Sequence, residues 1–65
     1  MKILVTGAWR ETGAIDLAAA LQELGYGEAI VATALNGEFV PAGSRPGARL
    51  ADGDRLEVLA PMQGG

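Results

Sequence analysis

Apolar and polar positions alternate through KILVT (2–6), placing Ile3 and Val5 on one face and Lys2 and Leu4 on the other. This pattern, rich in β-branched residues, predicts a strand. Thr6 and Gly7 predict a tight turn, and AWRET (8–12) a polar strand returning at the sheet edge. Trp9 is expected to cover core rather than stack on a ligand, as a lone aromatic in a short strand usually does. The period then changes. Leu17, Ala20, Leu21 and Leu24 fall at i, i+3, i+4 and i+7, one face of an amphipathic helix over LAAALQEL (17–24). Asp16 is placed to cap its first amides, Ile15 to pack back on Ala20 as a staple, and Gly25 to stop the helix in a left-handed conformation. Gln22 and Glu23 face water.

IVATAL (30–35) predicts a third strand. Asn36-Gly37 is a strong hairpin signal, because both central residues of the favoured two-residue turn need positive φ. EFV (38–40) completes the hairpin, and Pro41 ends it by withholding an amide. AGSRPGAR (42–49) is expected to cross as irregular chain, closed by Leu50. Asp52-Gly53-Asp54 reads as a turn; a calcium loop would need further oxygen ligands and a glutamate at its twelfth position. RLEVLA (55–60) predicts the final strand, with Leu56 and Val58 toward the core and Arg55, Glu57 and Leu59 outward. The expected architecture is α+β: a mixed sheet of four to five strands, one main helix across one face, and the first and last strands parallel at the centre. Residues 1–60 form a single domain, and 61–65 a flexible C-terminal tail.

Composition narrows the chemistry. A chain of 65 residues has room for one modest core, and without cysteine it has neither disulfides nor thiolate metal sites. Five basic and eight acidic residues give a net charge of -3, which argues against nucleic acid and favours a basic partner surface. Histidine is absent and Ser44 is the only serine, so no nucleophile-and-base constellation can be assembled; no catalytic and no metal-ligating residue is expected. No secretory or membrane-spanning segment is read, leaving the cytoplasm as the expected compartment and no membrane partner.

The chain ends PMQGG. A glycine pair is costly to order and contributes no packing, so it is a frayed end or a tail for a partner's active site. Extended, the residues after Leu59 reach about 20 Å, enough to enter a deep cleft while the body stays outside. Met62, Gln63 and Gly64 would line the inserted tail. Without a β-carbon at Gly64 or Gly65, cleft walls can close on the backbone and leave the terminal carboxylate as the reactive group. A carboxylate resists nucleophiles until activated, and a partner that adenylates it with ATP makes it reactive; the chain itself binds no cofactor. On the outer sheet face, Leu4 and Leu59 are expected to be neighbours with Met62 just beyond, a docking patch for that partner.

ALNGEFVP (34–41), LADGDRLEV (50–58) and the terminal Gly-Gly together resemble the small sulfur carriers of thiamin biosynthesis, the ThiS group of β-grasp, ubiquitin-like proteins. The likeness spans nearly the whole chain. It implies that Gly65 is adenylated by an E1-like enzyme of the ThiF type and loaded with cysteine-derived sulfur through a desulfurase or rhodanese-type donor. It also implies that the resulting thiocarboxylate gives that sulfur to a thiazole synthase of the ThiG type, with Gly64 as the slender neighbour. The AGSRPG segment departs from the basic or aromatic residue common in the family soon after Val-Pro. The sulfur carrier of molybdopterin synthesis is the nearest alternative, though usually longer and richer in Phe and Pro before its tail; a ubiquitin-like protein modifier is another.

Overall fold

The computed structural model describes residues 1–27 and 29–60. Its elements run β1 (Lys2–Val5), β2 (Ala8–Glu11), α1 (Leu17–Glu23), β3 (Ala32–Leu35), β4 (Glu38–Val40), a 3-10 turn over Ala42–Gly47, and β5 (Arg55–Leu59). The strands form one five-stranded sheet in the order β2-β1-β5-β3-β4. β1 and β5 are parallel at its centre, and the remaining pairs are antiparallel. This is the expected mixed α+β architecture, a β-grasp fold.

The alternation in β1 and β5 does the sorting. Ile3, Val5 and Leu56 point to one face, where Leu17 and Leu21 of α1 meet them, and all five are buried. Leu24, Val31, Leu35, Val40, Leu50 and Val58 pack around this cluster, so Leu50 does close the end of the crossing segment. Asp16 caps α1 as its residue type predicts: its carboxylate accepts the Ala19 N–H at 2.8 Å. At the other end Gly25, with φ +92°, lets the chain turn back. Gly25 N–H donates to the Gln22 carbonyl at 3.1 Å and Tyr26 N–H to the Leu21 carbonyl at 2.8 Å, the paired bonds of a Schellman stop.

The structure corrects four expectations. Trp9 does not cover the core: it lies opposite Leu4 on the face away from the helix and is 59% exposed. The register follows from the two-residue turn, since Val5 pairs with Ala8 and Leu4 must then pair with Trp9. Ile15 is also 59% exposed and is no buried staple. Its carbonyl instead accepts the Leu50 N–H at 3.0 Å while Leu17 N–H donates to the Ala48 carbonyl at 2.9 Å, so a one-residue bridge between Asp16 and Arg49 fixes the helix entry. β3 begins at Ala32, two residues late, with Ile30 exposed. Finally, Ala42–Gly47 is not irregular but wound as a 3-10 turn. Its glycines and Pro46 read as breakers, yet so short a coil needs few amides. Arg45 supplies the tertiary reason, donating from Nη2 to the Val31 carbonyl at 2.6 Å and from Nε to Thr33 Oγ1 at 3.1 Å.

Candidate functional site

β5 is the last strand of the described residues and leads directly to Ala60. Its first residues are fixed by the Asn36-Gly37 turn: Asn36, at φ +51°, accepts the Arg55 N–H through Oδ1 at 2.9 Å and donates from Nδ2 to Asp54 Oδ1 at 3.0 Å. Asp54 Oδ2 accepts the Ala51 N–H at 2.7 Å, and Asp52 Oδ1 accepts the Lys2 N–H at 2.8 Å. The Asp-Gly-Asp segment is thus the turn its sequence suggested, with both carboxylates answering backbone amides at the mouth of β5. Leu56, fully buried, then pins the strand from below.

Along β3 the pairing continues to the last strand residue, Leu59, which faces Ala32. Along β1 it stops sooner, at Val5 with Leu56. Thr6 N–H still donates to the Leu56 carbonyl at 2.9 Å, and Thr6 Oγ1 accepts the Val58 N–H at 3.2 Å. Arg45 fixes the opposite flank, holding the Val31 carbonyl and the Thr33 side chain on either side of Ala32. A short central strand is therefore held on both sides almost to Ala60, the last described residue. Gly65, Gly64, Gln63 and Met62, the expected modified residue and inserted tail, lie outside the described residues.

Leu4 and Leu59 share the outer face as expected, but they are not neighbours. Leu4 stands level with Arg55, four residues before Leu59 and so about 13 Å away along the strand. The parallel register sets this offset, which the alternation of either strand alone does not contain. Leu59, 72% exposed, instead borders a shallow depression of about 310 Å³ with Ala32, Ala34, Phe39, Thr6 and Glu57. Phe39 is 69% exposed and was not singled out from the sequence. The signal was present, because the two-residue Asn-Gly turn pairs Phe39 with Ala34, whose neighbours Thr33 and Leu35 face inward. Glu57 and Glu38 are exposed, leaving negative charge at the surface, whereas Asp52 and Asp54 are committed to the turn.

Among the described residues no cluster of acidic side chains is arranged to hold a metal ion, and no helix is long and apolar enough to cross a membrane. The arrangement offers a final strand hydrogen-bonded on both sides, an apolar outer face and hydrogen-bonded turns.

Comparison with known proteins agrees with this reading of the fold. No curated protein matches the chain significantly. Among solved structures it is similar to the crystal structure of the thiamine biosynthesis protein ThiS from Geobacter metallireducens, with 30% identity, a TM-score of 0.84 and full coverage of both chains. A model of the ThiS family matches residues 3–65, the opening strand through the glycine pair. With sequence, sheet order and structural likeness in agreement over that span, the chain belongs to the ThiS family of small sulfur carriers in thiamine biosynthesis.

Proposed function

We propose that this chain carries sulfur on the carboxyl group of Gly65 for thiazole formation. An E1-like adenylating enzyme of the ThiF type joins that carboxylate to the α-phosphate of ATP, releasing pyrophosphate. The terminal sulfur of a persulfide, formed from cysteine on a desulfurase or rhodanese-type donor, then displaces AMP to give an acyl disulfide. A second thiol cleaves its S–S bond, forming a disulfide with the donor cysteine and leaving a thiocarboxylate on Gly65. A thiazole synthase of the ThiG type receives the sulfur. Residues 1–60 serve as the body and 61–65 as the inserted tail, with Gly64, Gln63 and Met62 threading the enzyme's cleft. The chain is substrate and donor, not catalyst; ATP is consumed by the partner, and the chemistry belongs in the cytoplasm.

The observation that carries this reading is the ThiS family match running through residue 65, joined to a central β5 that is fixed on both flanks up to the point where the tail begins. Intact mass spectrometry of the protein isolated from its own cells tests it directly. The expected result is a species heavier by the difference between sulfur and oxygen, localised by fragmentation to Gly65. A population carrying only an unmodified carboxylate under conditions of active thiamin synthesis overturns the proposal.

The body docks, in this reading, through the outer sheet face, with Leu59 and Phe39 as its apolar centre and Met62 beyond; Leu4, beside Trp9, forms a separate patch. Replacing Leu59 with Asp places a charge where the partner would need an apolar contact. Because Leu59 is exposed, folding stability should change by no more than about 0.5 kcal/mol. The KM of the adenylating enzyme for the carrier should rise about tenfold or more, the scale of a modest interface hot spot. Unchanged adenylation kinetics would remove this face from the interaction.

A further inference from the structure

The hairpin turns of β1-β2 and β3-β4 have the same geometry and are built from different residues. Asn36 and Gly37 have φ +51° and +87°, and Thr6 and Gly7 have φ +47° and +87°. Asparagine is at ease in the left-handed region; a β-branched residue such as threonine is a genuine outlier there. Backbone strain of this kind persists where surrounding contacts over-determine it, and it concentrates at functional positions.

The contact that holds Thr6 is the one to Val58. Asn36 N–H donates to the Arg55 carbonyl on the β3 side, so strand alternation turns the amides of Leu56 and Val58 toward β1. β1, however, reverses at Thr6 and Gly7, and the Val58 N–H meets a hydroxyl where a strand would have supplied a carbonyl. The two turns thus hold the two ends of β5 by the same device. Asn36 accepts the Arg55 amide at the start of the strand, and Thr6 accepts the Val58 amide near its end.

We propose that Thr6 is a positioning residue for group transfer. By holding the Val58 amide it fixes the direction in which the chain leaves the sheet beyond Ala60, and so the aim of the tail into the adenylating cleft. This inference rests on the carrier reading above and adds to it a residue outside the tail, on the rim of the depression that Leu59 and Phe39 border.

The test compares Thr6→Gly, which relieves the backbone and removes the acceptor, with Thr6→Asn, which suits the turn and restores an acceptor as Asn36 does. In free Thr6→Gly protein, exchange of the Val58 amide should quicken about tenfold while Leu56 and Thr33 keep their protection. With the cognate E1-like enzyme and ATP, kcat for adenylation should fall several-fold with less than about a twofold change in KM, because the apolar docking contacts Leu59 and Phe39 are retained while the tail is less often aligned. Thr6→Asn should restore both readings. Wild-type kcat in Thr6→Gly, or unaltered Val58 exchange, overturns the proposal. So does a fall in kcat that accompanies loss of protection across the whole sheet, since Thr6 would then act only on folding. Wild-type protein that is never adenylated overturns the carrier reading, and the transfer role of Thr6 with it. That failure is recognisable because no activity exists for the variants to lose.

Discussion

Deleting Gly65, or adding a single alanine after it, is expected to abolish adenylation and sulfur transfer while leaving the fold intact. One residue of extended chain spans about 3.3–3.6 Å, and a misplacement of about 1 Å at a reacting centre can already cost about a hundredfold. Either change moves the reacting carbon by several times that tolerance, so the rate of pyrophosphate release should drop by at least about a hundredfold. Alanine adds a second obstacle, a methyl group where the cleft closes on bare backbone. Melting temperature should not move, because no described core residue lies beyond Val58. Rescue of a thiamin-requiring strain at normal growth rate by either variant would refute the role of the Gly65 carboxyl.

Leu56→Ala is expected to do the opposite, unfolding the body while leaving the covalent structure of the tail unchanged. Leu56 is fully buried at the centre of the sheet, between Val5 on β1 and Leu35 on β3 and beneath the helix residues Leu17 and Leu21. Truncating such a leucine costs about 2–5 kcal/mol in lost burial and residual cavity. A single core in a chain this short supplies only about 3–5 kcal/mol in total. Much of the Leu56→Ala population should therefore be unfolded at 37 °C, visible as loss of cooperative thermal melting and of amide dispersion. Leu59→Ala, three residues along β5 from Leu56 and on the opposite, exposed face, is the control and should stay within about 0.5 kcal/mol of wild type. A cooperative melt of Leu56→Ala near the wild-type temperature would mean that the core is not organised around β5.

These two residues also separate what could be read early from what could not. The role proposed for Gly65 rests on local covalent chemistry: a glycine has no side chain in any fold, so its fit to a narrow cleft is argued without coordinates. The hairpins are similarly local. Asn36-Gly37 favours positive φ at both positions and the observed angles follow, whereas Thr6-Gly7 reads only as a tight turn and the positive φ of Thr6 runs against its residue type. Asp16 and Gly25 bound the helix because capping acts within one turn of chain. Even Phe39 and Trp9 were within reach, since a two-residue turn fixes which residues stand opposite one another; combining that register with the inward and outward alternation puts both on the outer face.

Other features depend on segments distant in sequence. The 3-10 turn over Ala42–Gly47 is held by Arg45 reaching Val31 and Thr33, and its own composition of glycine and proline points to irregular chain. Ile15 stays exposed because backbone bonds to Leu50 and Ala48, not a side-chain staple, steer the chain into α1. The separation of Leu4 from Leu59 follows from the parallel stagger of β1 against β5, strands joined only through everything between them.

Sequence alone thus determined the five strands and the helix, the inward and outward alternation of β1 and β5, and the hairpin turns, because each is governed by interactions within a few bonds or one strand period. Tertiary structure decided the register between distant strands, the anchoring of β5 by Thr6 and of β3 by Arg45, and the gathering of Leu59 with Phe39. Those arise only when loop closure brings remote backbone groups within hydrogen-bonding reach, a distance that no local pattern encodes.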